Sequence, residues 1–321
     1  MGTGTVSRVD LTFPALGLGC RAFTGEYGPV HQAEIVATVR RALDMGVRMI
    51  DLADSYSGGG LERIVGRAIS GRRDRALIAT RGGLRFDAAG RPTGVDARPG
   101  TLARACDASL RRLAVDSIDL YYLARIDPRV PVEESVGGLG ELVDAGKIRH
   151  IGLSEASAAE LRRAHAERPV TALACEYSLL ERSVEAAALP AARALGVTPI
   201  ASSPLARGLL TGRISSVDHL DAGDVRRDDR RLGPQSMEQI RHMLLAAQRM
   251  AAEKDVSLGR LALAWLLAQP GVVPVPSTRV PLHLEMDAAA TNVRLTPEER
   301  DRLAAIFPLG WSDDSGLSPR R

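Results

Sequence analysis

The sequence contains few cysteines and no long apolar run. Its three cysteines, Cys20, Cys106 and Cys175, are odd in number and widely separated among 321 residues. This spacing argues against a disulfide framework or a zinc site and favours a reducing, cytoplasmic location. No apolar run reaches the ~18 residues that a membrane span needs, and the first ten residues lack the pattern of a signal peptide. We therefore expect neither a membrane partner nor a bound metal.

The sequence also lacks a large excess of charge of either sign. Its 42 lysines and arginines oppose 39 aspartates and glutamates, so the formal net charge is only +3. The basic surface stripe that nucleic-acid binding requires is therefore not indicated. The cationic residues are almost all arginine, because Lys147 and Lys254 are the only lysines. The composition suits a protein that acts on small molecules, and it carries no indication of oligomeric state.

Eight short apolar runs alternate along the chain with stretches of helical periodicity. The runs cover residues 15–19, 49–53, 76–80, 117–126, 148–154, 171–177, 198–203 and 272–276. They are rich in Ile, Val and Leu without strict alternation, which is typical of parallel strands buried on both faces. Eight such strand–helix units predict an α/β protein of one domain, a (β/α)8 TIM barrel over residues 1–309. The alternative is an open doubly wound sheet, but residues 17–20 lack the third glycine of a dinucleotide-binding turn.

Two segments lie outside this alternation. Residues 207–235 form a long polar stretch, which we predict to be a loop over the mouth of the barrel. Residues 310–321 are rich in serine, aspartate and terminal arginine, and we predict a disordered C-terminal tail.

Polar side chains follow several of the predicted strands. Because active sites of such barrels lie at the carboxyl ends of the strands, these residues are the candidates for chemistry. Asp51 and Tyr56 follow the second strand, and Arg81 follows the third. A carboxylate within the apolar run around Asp51 needs a partner, which Arg81 on the next strand can supply. The pair is either a structural ion pair or a functional pair that tunes Tyr56.

Several motifs stand in order on these predicted strands. They are LGLG at 16–19, IDLADSY at 50–56, DLYYL at 119–123, GKIRHIGLS at 146–154, EYSL at 176–179, SPLARGLLTG at 203–212 and PSTR at 276–279. With them the sequence resembles the aldo/keto reductase superfamily over nearly its whole length. The resemblance implies a (β/α)8 barrel and hydride transfer between NADP(H) and a carbonyl group.

The resemblance also implies a catalytic tetrad of aspartate, tyrosine, lysine and histidine. In that family tyrosine is the proton donor, lysine held by aspartate lowers the pKa of the tyrosine, and histidine polarises the carbonyl. Asp51 and Tyr56 match, whereas Arg81 stands at the lysine position and Ala124 at the histidine position. Arginine keeps the charge but cannot relay a proton. Ala124 removes the donor to the carbonyl and leaves room for a larger substrate group.

The cofactor positions depart from the family pattern as well. By resemblance, NADP(H) would contact Ser154, Glu155, Ser202, Pro204, Leu205, Gly208, Ser277, Thr278 and Arg279. Yet Ala174 replaces a glutamine that binds the nicotinamide carboxamide, Ser202 replaces a tyrosine that stacks on the ring, and Val280 replaces a second arginine. Met286 and Asp287 stand at the adenine contacts. Five losses of about 1 kcal/mol each weaken binding over a thousandfold, so NADP(H) is possible but expected to bind weakly or not at all.

Three functions remain open at this stage. The substrate pocket is expected to include Phe23, Tyr27, Ala124 and Arg125. We favour, narrowly, an enzyme of this fold with Tyr56-centred acid/base chemistry on a small organic metabolite that is not reductive, such as dehydration, isomerisation or cyclisation in specialised metabolism. The alternatives are an NADPH-dependent carbonyl reductase with an atypical tetrad, and a non-catalytic binding or regulatory protein.

Overall fold

Eight parallel strands form the centre of the protein in the computed structural model, which describes residues 11–87 and 92–309. The described strands are β1 (Leu18–Gly19), β2 (Met49–Asp51), β3 (Leu77–Gly82), β4 (Leu84–Phe86), β5 (Pro92–Val95), β6 (Ile118–Leu123), β7 (Ile148–Ser154), β8 (Val170–Glu176), β9 (Thr198–Ser202) and β10 (Val273–Pro274). The sheet has the order β1-β2-β3-β6-β7-β8-β9-β10, and β4 and β5 form a separate antiparallel hairpin.

The first and last strands of this sheet also meet. Gly17 donates its N–H to the carbonyl oxygen of Pro274 at 3.0 Å, and Gly19 donates to that of Pro276 at 2.9 Å. A parallel bridge joins Gly19 and Ser277. Because these bonds close the sheet on itself, the architecture is the (β/α)8 barrel that the sequence predicts.

Helices follow the barrel strands and cover the outside of the sheet. The described α-helices are α1 (Gln32–Asp44), α2 (Gly60–Ile69), α3 (Pro99–Leu113), α4 (Val132–Asp144), α5 (Ala158–Glu167), α6 (Ala188–Ala194), α7 (Pro234–Glu253), α8 (Leu258–Leu267), α9 (Pro281–Ala288) and α10 (Pro297–Ile306). Local sequence defines their ends. For example, Ser157 and Glu160 form a reciprocal capping box at the start of α5. Within the described residues, no helix has both the length and the apolar character to cross a membrane.

The barrel interior is filled by alternate residues of the strands. Met49, Ala79 and Tyr122 belong to one buried cluster with residues of β8, β9 and β10. Side chains two residues apart on a strand point to the same face. Asp51 follows Met49 by two residues and Arg81 follows Ala79 by two residues, so strand geometry directs both charges toward the barrel axis at its carboxyl end.

Of the two segments outside the strand–helix alternation, the structure describes one. Short 3₁₀ turns at Ala206–Thr211, Val217–His219, Val225–Asp228 and Arg230–Leu232 make up most of the polar stretch. The N–H of Val225 donates to the carbonyl oxygen of Glu26 at 3.0 Å, so this stretch contacts the loop that follows β1. The predicted tail, residues 310–321, lies outside the described residues.

Two adjacent glycines of α4 provide a test of this helix packing. A Cβ at Gly138 would lie 2.6 Å from Cβ of Pro99 at the start of α3, whereas a Cβ at Gly137 would meet only a carboxylate oxygen of Glu167 at 3.7 Å. We expect Gly138→Ala to lower the free energy of unfolding by about 1–3 kcal/mol through overpacking. Gly137→Ala is the matched control and should raise it by up to about 1 kcal/mol. Urea unfolding followed by circular dichroism measures both, and equal effects would contradict the close packing of α3 on α4.

Candidate active site

A cavity of about 900 Å³ lies at the carboxyl ends of the barrel strands. Its wall includes Asp51 at the end of β2, Arg81 in β3, Ser154 at the end of β7 and Ser202 at the end of β9. The volume is near the upper end of the ~300–1,000 Å³ that small-molecule sites occupy. The position is the one at which enzymes of this barrel architecture bind their substrates.

A buried ion pair occupies the base of the cavity. Nη2 of Arg81 donates to Oδ1 of Asp51, and its Nε donates to the carbonyl oxygen of Leu52 at 3.2 Å. Nη1 of Arg81 lies 3.4 Å from Oγ of Ser154, and the guanidinium lies 5.0 Å from the centre of the Tyr122 ring. These contacts on several sides hold the guanidinium plane in one orientation. The pair therefore presents a fixed positive charge to the cavity.

Tyr56 lines the same cavity, and the positive charge of Arg81 affects its pKa. Burial raises the pKa of Tyr56 to about 12, while Arg81 acts in the opposite direction and Asp51 adds to the rise. Burial likewise raises the pKa of Asp51, and Arg81 opposes that rise because it stabilises the carboxylate. The cation at the lysine position thus favours the phenolate, as expected, but burial has the larger effect. Tyr56 consequently carries its proton throughout the neutral range.

Most residues expected at the site line the cavity. Besides Asp51, Tyr56 and Arg81, the expected residues in the cavity wall are Tyr27, Arg125, Ser154, Glu155, Ser202, Pro204, Leu205, Gly208, Ser277 and Thr278. Some of these groups already have partners within the protein. Oγ of Ser277 accepts the N–H of Ala22 at 2.7 Å, and Oε1 of Glu155 accepts the N–H of Glu176 at 2.9 Å.

Three of the expected residues are not in the cavity wall. Phe23 is buried in the hydrophobic core, and Ala124 is only 2% exposed. The room expected from the small Ala124 side chain is therefore not part of the cavity. Nη1 of Arg279 donates to the carbonyl oxygens of Tyr27, Gly28 and Pro29 at 3.0–3.2 Å. Its guanidinium thus holds the loop after β1 instead of facing the cavity.

The cavity wall also contains a second group of cations, which the sequence did not indicate. Arg213 lies with Nη1 3.3 Å from Nε2 of His283, and Arg260 stands in the first turn of α8. Nε of Arg260 is buried without a hydrogen-bond partner among the described residues. A cation near a helix N-terminus is disfavoured by the helix dipole, whereas an anion there is stabilised. The N-cap Ser257 with an arginine three positions on is the signal in the sequence that could have identified this group.

The cavity offers no metal site in the described part of the chain. No group of three or more histidine, cysteine, aspartate or glutamate side chains is placed there to hold an ion. Cys20 and Cys175 line the cavity as free thiols, and burial raises the pKa of both. Neither thiol is therefore a ready nucleophile.

Comparison with known proteins agrees with this architecture. The sequence model of the "Aldo/keto reductase family" matches residues 15–307. The glycerol dehydrogenase from Gluconobacter oxydans is 27% identical with a TM-score of 0.85, covering 99% of this chain and 97% of that one. An aldo/keto reductase from Klebsiella pneumoniae in complex with NADP and acetate is 28% identical with a TM-score of 0.72, covering 96% and 93%. The holo form of an aldo-keto reductase from Bacillus halodurans is 26% identical with a TM-score of 0.76, covering 93% and 94%.

The buried pair can be tested by its effect on stability. Arg81→Met leaves the carboxylate of Asp51 buried without a counter-charge, which costs about 3–5 kcal/mol in such pairs. We expect the double variant Asp51→Asn with Arg81→Met to unfold at a higher urea concentration than Arg81→Met alone. Strictly additive changes in the free energy of unfolding would show that the two side chains are not coupled.

Proposed function

The chain belongs to the aldo/keto reductase family, and we propose that it is an NADP(H)-dependent oxidoreductase that interconverts a small carbonyl compound and its alcohol. The observation that carries this proposal is that Tyr56 and the Asp51–Arg81 ion pair line one large cavity, in which the charge of Arg81 acts on the pKa of Tyr56. The similar proteins named above include a dehydrogenase and a reductase in complex with NADP, which supports the same reaction class.

The cations of the second group suit a phosphorylated dinucleotide. Arg213 and Arg260 line the cavity, and Arg260 lies in the first turn of α8, where free N–H groups favour phosphate. The unpartnered Nε of Arg260 gains an acceptor when an anion binds. Bound NADPH supplies the hydride for carbonyl reduction. These residues fit the cofactor, although Ser202 offers no ring for stacking on the nicotinamide.

In the proposed reaction Tyr56 donates its proton to the oxygen of the reduced carbonyl. The fixed charge of Arg81 stabilises the phenolate that this transfer leaves behind, and Asp51 holds the guanidinium in place. Arginine keeps its proton at every accessible pH, so it acts by charge alone. Ala124 contributes no donor to the carbonyl, because alanine has no polar side-chain atom.

Chemistry without reduction, which the sequence narrowly favoured, has less support. Dehydration or isomerisation would need a base to remove a proton from carbon. With a pKa of about 12, Tyr56 holds its proton at neutral pH, so it can give that proton to a strongly basic alkoxide but is scarcely available as a base. The comparisons name oxidoreductases and give no support to a lyase or isomerase.

Cofactor binding is the first test of the proposal. We expect NADPH to bind with a Kd of about 1 μM or tighter in calorimetric titration, which corresponds to about 8 kcal/mol. Arg260→Gln removes a charge-assisted hydrogen bond to phosphate, so it should weaken binding ~10–100-fold.

Arg162→Gln is the control for that titration, because Arg162 lies exposed on α5 and, within residues 11–87 and 92–309, donates only to the carbonyl oxygen of Ala158. It should bind NADPH as the wild type does. Absence of NADPH binding to the folded wild type would overturn the proposal and agree with the expectation of weak or absent cofactor binding from the sequence.

Turnover is the second test. Tyr56→Phe should lower kcat for a panel of reactive aldehydes ~10²–10⁴-fold, because it removes the proton donor without altering the ring. In the wild type, reduction should be nearly independent of pH between about 6 and 9, since the pKa of Tyr56 is about 12. Alcohol oxidation should instead accelerate as pH rises, because it requires the phenolate.

Tyr121→Phe is the matched control for the loss of a tyrosine hydroxyl. The hydroxyl of Tyr121 is buried and has no hydrogen-bond partner among the described residues, so its removal should leave kcat unchanged. A Tyr56→Phe enzyme that reduces aldehydes within a few-fold of the wild-type rate would remove Tyr56 from the role of donor.

A further inference from the structure

Seven arginines of the described part of the chain line the cavity, and four of them are paired with a carboxylate. The pairs are Arg21 with Glu26, Arg81 with Asp51, Arg207 with Asp229 and Arg226 with Asp224. Among the described residues, Arg125, Arg213 and Arg260 have no carboxylate within ion-pair distance. Arg125 and Arg213 are exposed to solvent at the cavity wall, whereas Arg260 is partly buried. An unpaired guanidinium facing the cavity is therefore available to bind an anion.

Arg125 differs from the other two unpaired arginines by its position. It lies two residues beyond the end of β6, and its Nη1 lies 3.4 Å from Oγ of Ser154, the same atom that Nη1 of Arg81 approaches at 3.4 Å. Nη1 of Arg125 also donates to the carbonyl oxygen of Ala124 at 3.1 Å. The hydroxyl group of Ser154 thus lies between the guanidinium of Arg125 and that of Arg81, and both arginines line the cavity with Tyr56.

The neighbouring carboxylates do not satisfy Arg125. Asp51 forms its ion pair with Arg81, and one carboxylate oxygen of Glu155 accepts the N–H of Glu176. Burial raises the pKa of Glu155, and the charge of Arg125 partly opposes that rise. The two side chains therefore interact electrostatically, but they do not form an ion pair. Nε and Nη2 of Arg125 have no acceptor in the described part of the chain. These two donors form the fork that binds a carboxylate with two hydrogen bonds.

We propose that Arg125 binds a carboxylate group of the substrate, so that the preferred substrates are short carbonyl compounds that carry a carboxylate. This inference rests on the proposed reductase function and names its substrate class. One end of the substrate lies at Arg125, and its carbonyl group lies at Tyr56. A different role for Arg125 would be to donate a hydrogen bond to the carbonyl oxygen in place of the absent histidine. The test below distinguishes that role from carboxylate binding.

The test compares succinic semialdehyde with butanal, which have the same number of carbon atoms and differ by one carboxylate. We expect the wild type to prefer the semialdehyde at least tenfold in kcat/KM. Arg125→Gln should raise KM for the semialdehyde ~10–100-fold and change the kinetics of butanal far less. Arg125→Lys should restore part of the preference, since it keeps the charge and loses the fork. Arg162→Gln on the exposed face of α5 serves as the control for the loss of one positive charge.

Equal kcat/KM for both aldehydes in the wild type would overturn the proposal, as would a preference that survives Arg125→Gln. An equal fall in kcat for both aldehydes in Arg125→Gln would also overturn it and assign Arg125 to the carbonyl oxygen. If neither aldehyde is reduced, the reductase function fails, and calorimetric titration with succinate still tests the anion site. Loss of succinate binding in Arg125→Gln would then support the carboxylate site, and absent or unchanged binding would overturn it.

Discussion

The buried ion pair between Asp51 and Arg81 is the interaction on which the active site depends. Burying two charges costs several kcal/mol each, and the attraction between the two charges of a close pair offsets part of that cost. Here the parallel pairing of β2 with β3 brings the two strand ends together, with Asp51 opposite Ala79. The carbonyl of Leu52 and the ring of Tyr122 then hold the guanidinium. The barrel therefore fixes the charge that faces Tyr56 before any ligand arrives.

The fold was predictable because the strands are buried on both faces. Such strands appear in the sequence as apolar runs without alternation, and eight of them separated by helices leave few architectures other than a closed barrel. The hairpin of β4 and β5 was not predicted, since its strands are short and contain Arg85 and Gly94. Its pairing depends on contacts between strands rather than on a periodic pattern within them. The barrel could therefore be predicted from local sequence patterns, whereas the hairpin depends on pairing between strands that no local pattern shows.

The strand pattern alone predicted one part of the site, the charged side chains at the ends of two neighbouring strands. These are Asp51 and Arg81, and the barrel brings them together. The placement of Arg279 depended instead on its long side chain, which reaches the carbonyls of the loop after β1. Arg213 and His283 come from distant segments and meet through their side chains, and Arg260 of α8 lines the same cavity. No spacing rule connects such segments, so their convergence became visible only with the fold.

The two substitutions in the tetrad have a common electrostatic consequence. A lysine and a histidine would both titrate within reach of the tyrosine, whereas Arg81 is always charged and Ala124 has no polar atom in its side chain. Among these four positions, the charge that Tyr56 experiences is consequently constant across the neutral range. Burial then determines the pKa of Tyr56 more than any neighbouring titration does. An alkoxide is a far stronger base than a phenolate whose conjugate acid has a pKa of about 12, so proton transfer from Tyr56 to a newly formed alkoxide remains downhill. The reverse transfer starts from a phenolate that is scarcely populated at neutral pH, so the site favours reduction through proton delivery.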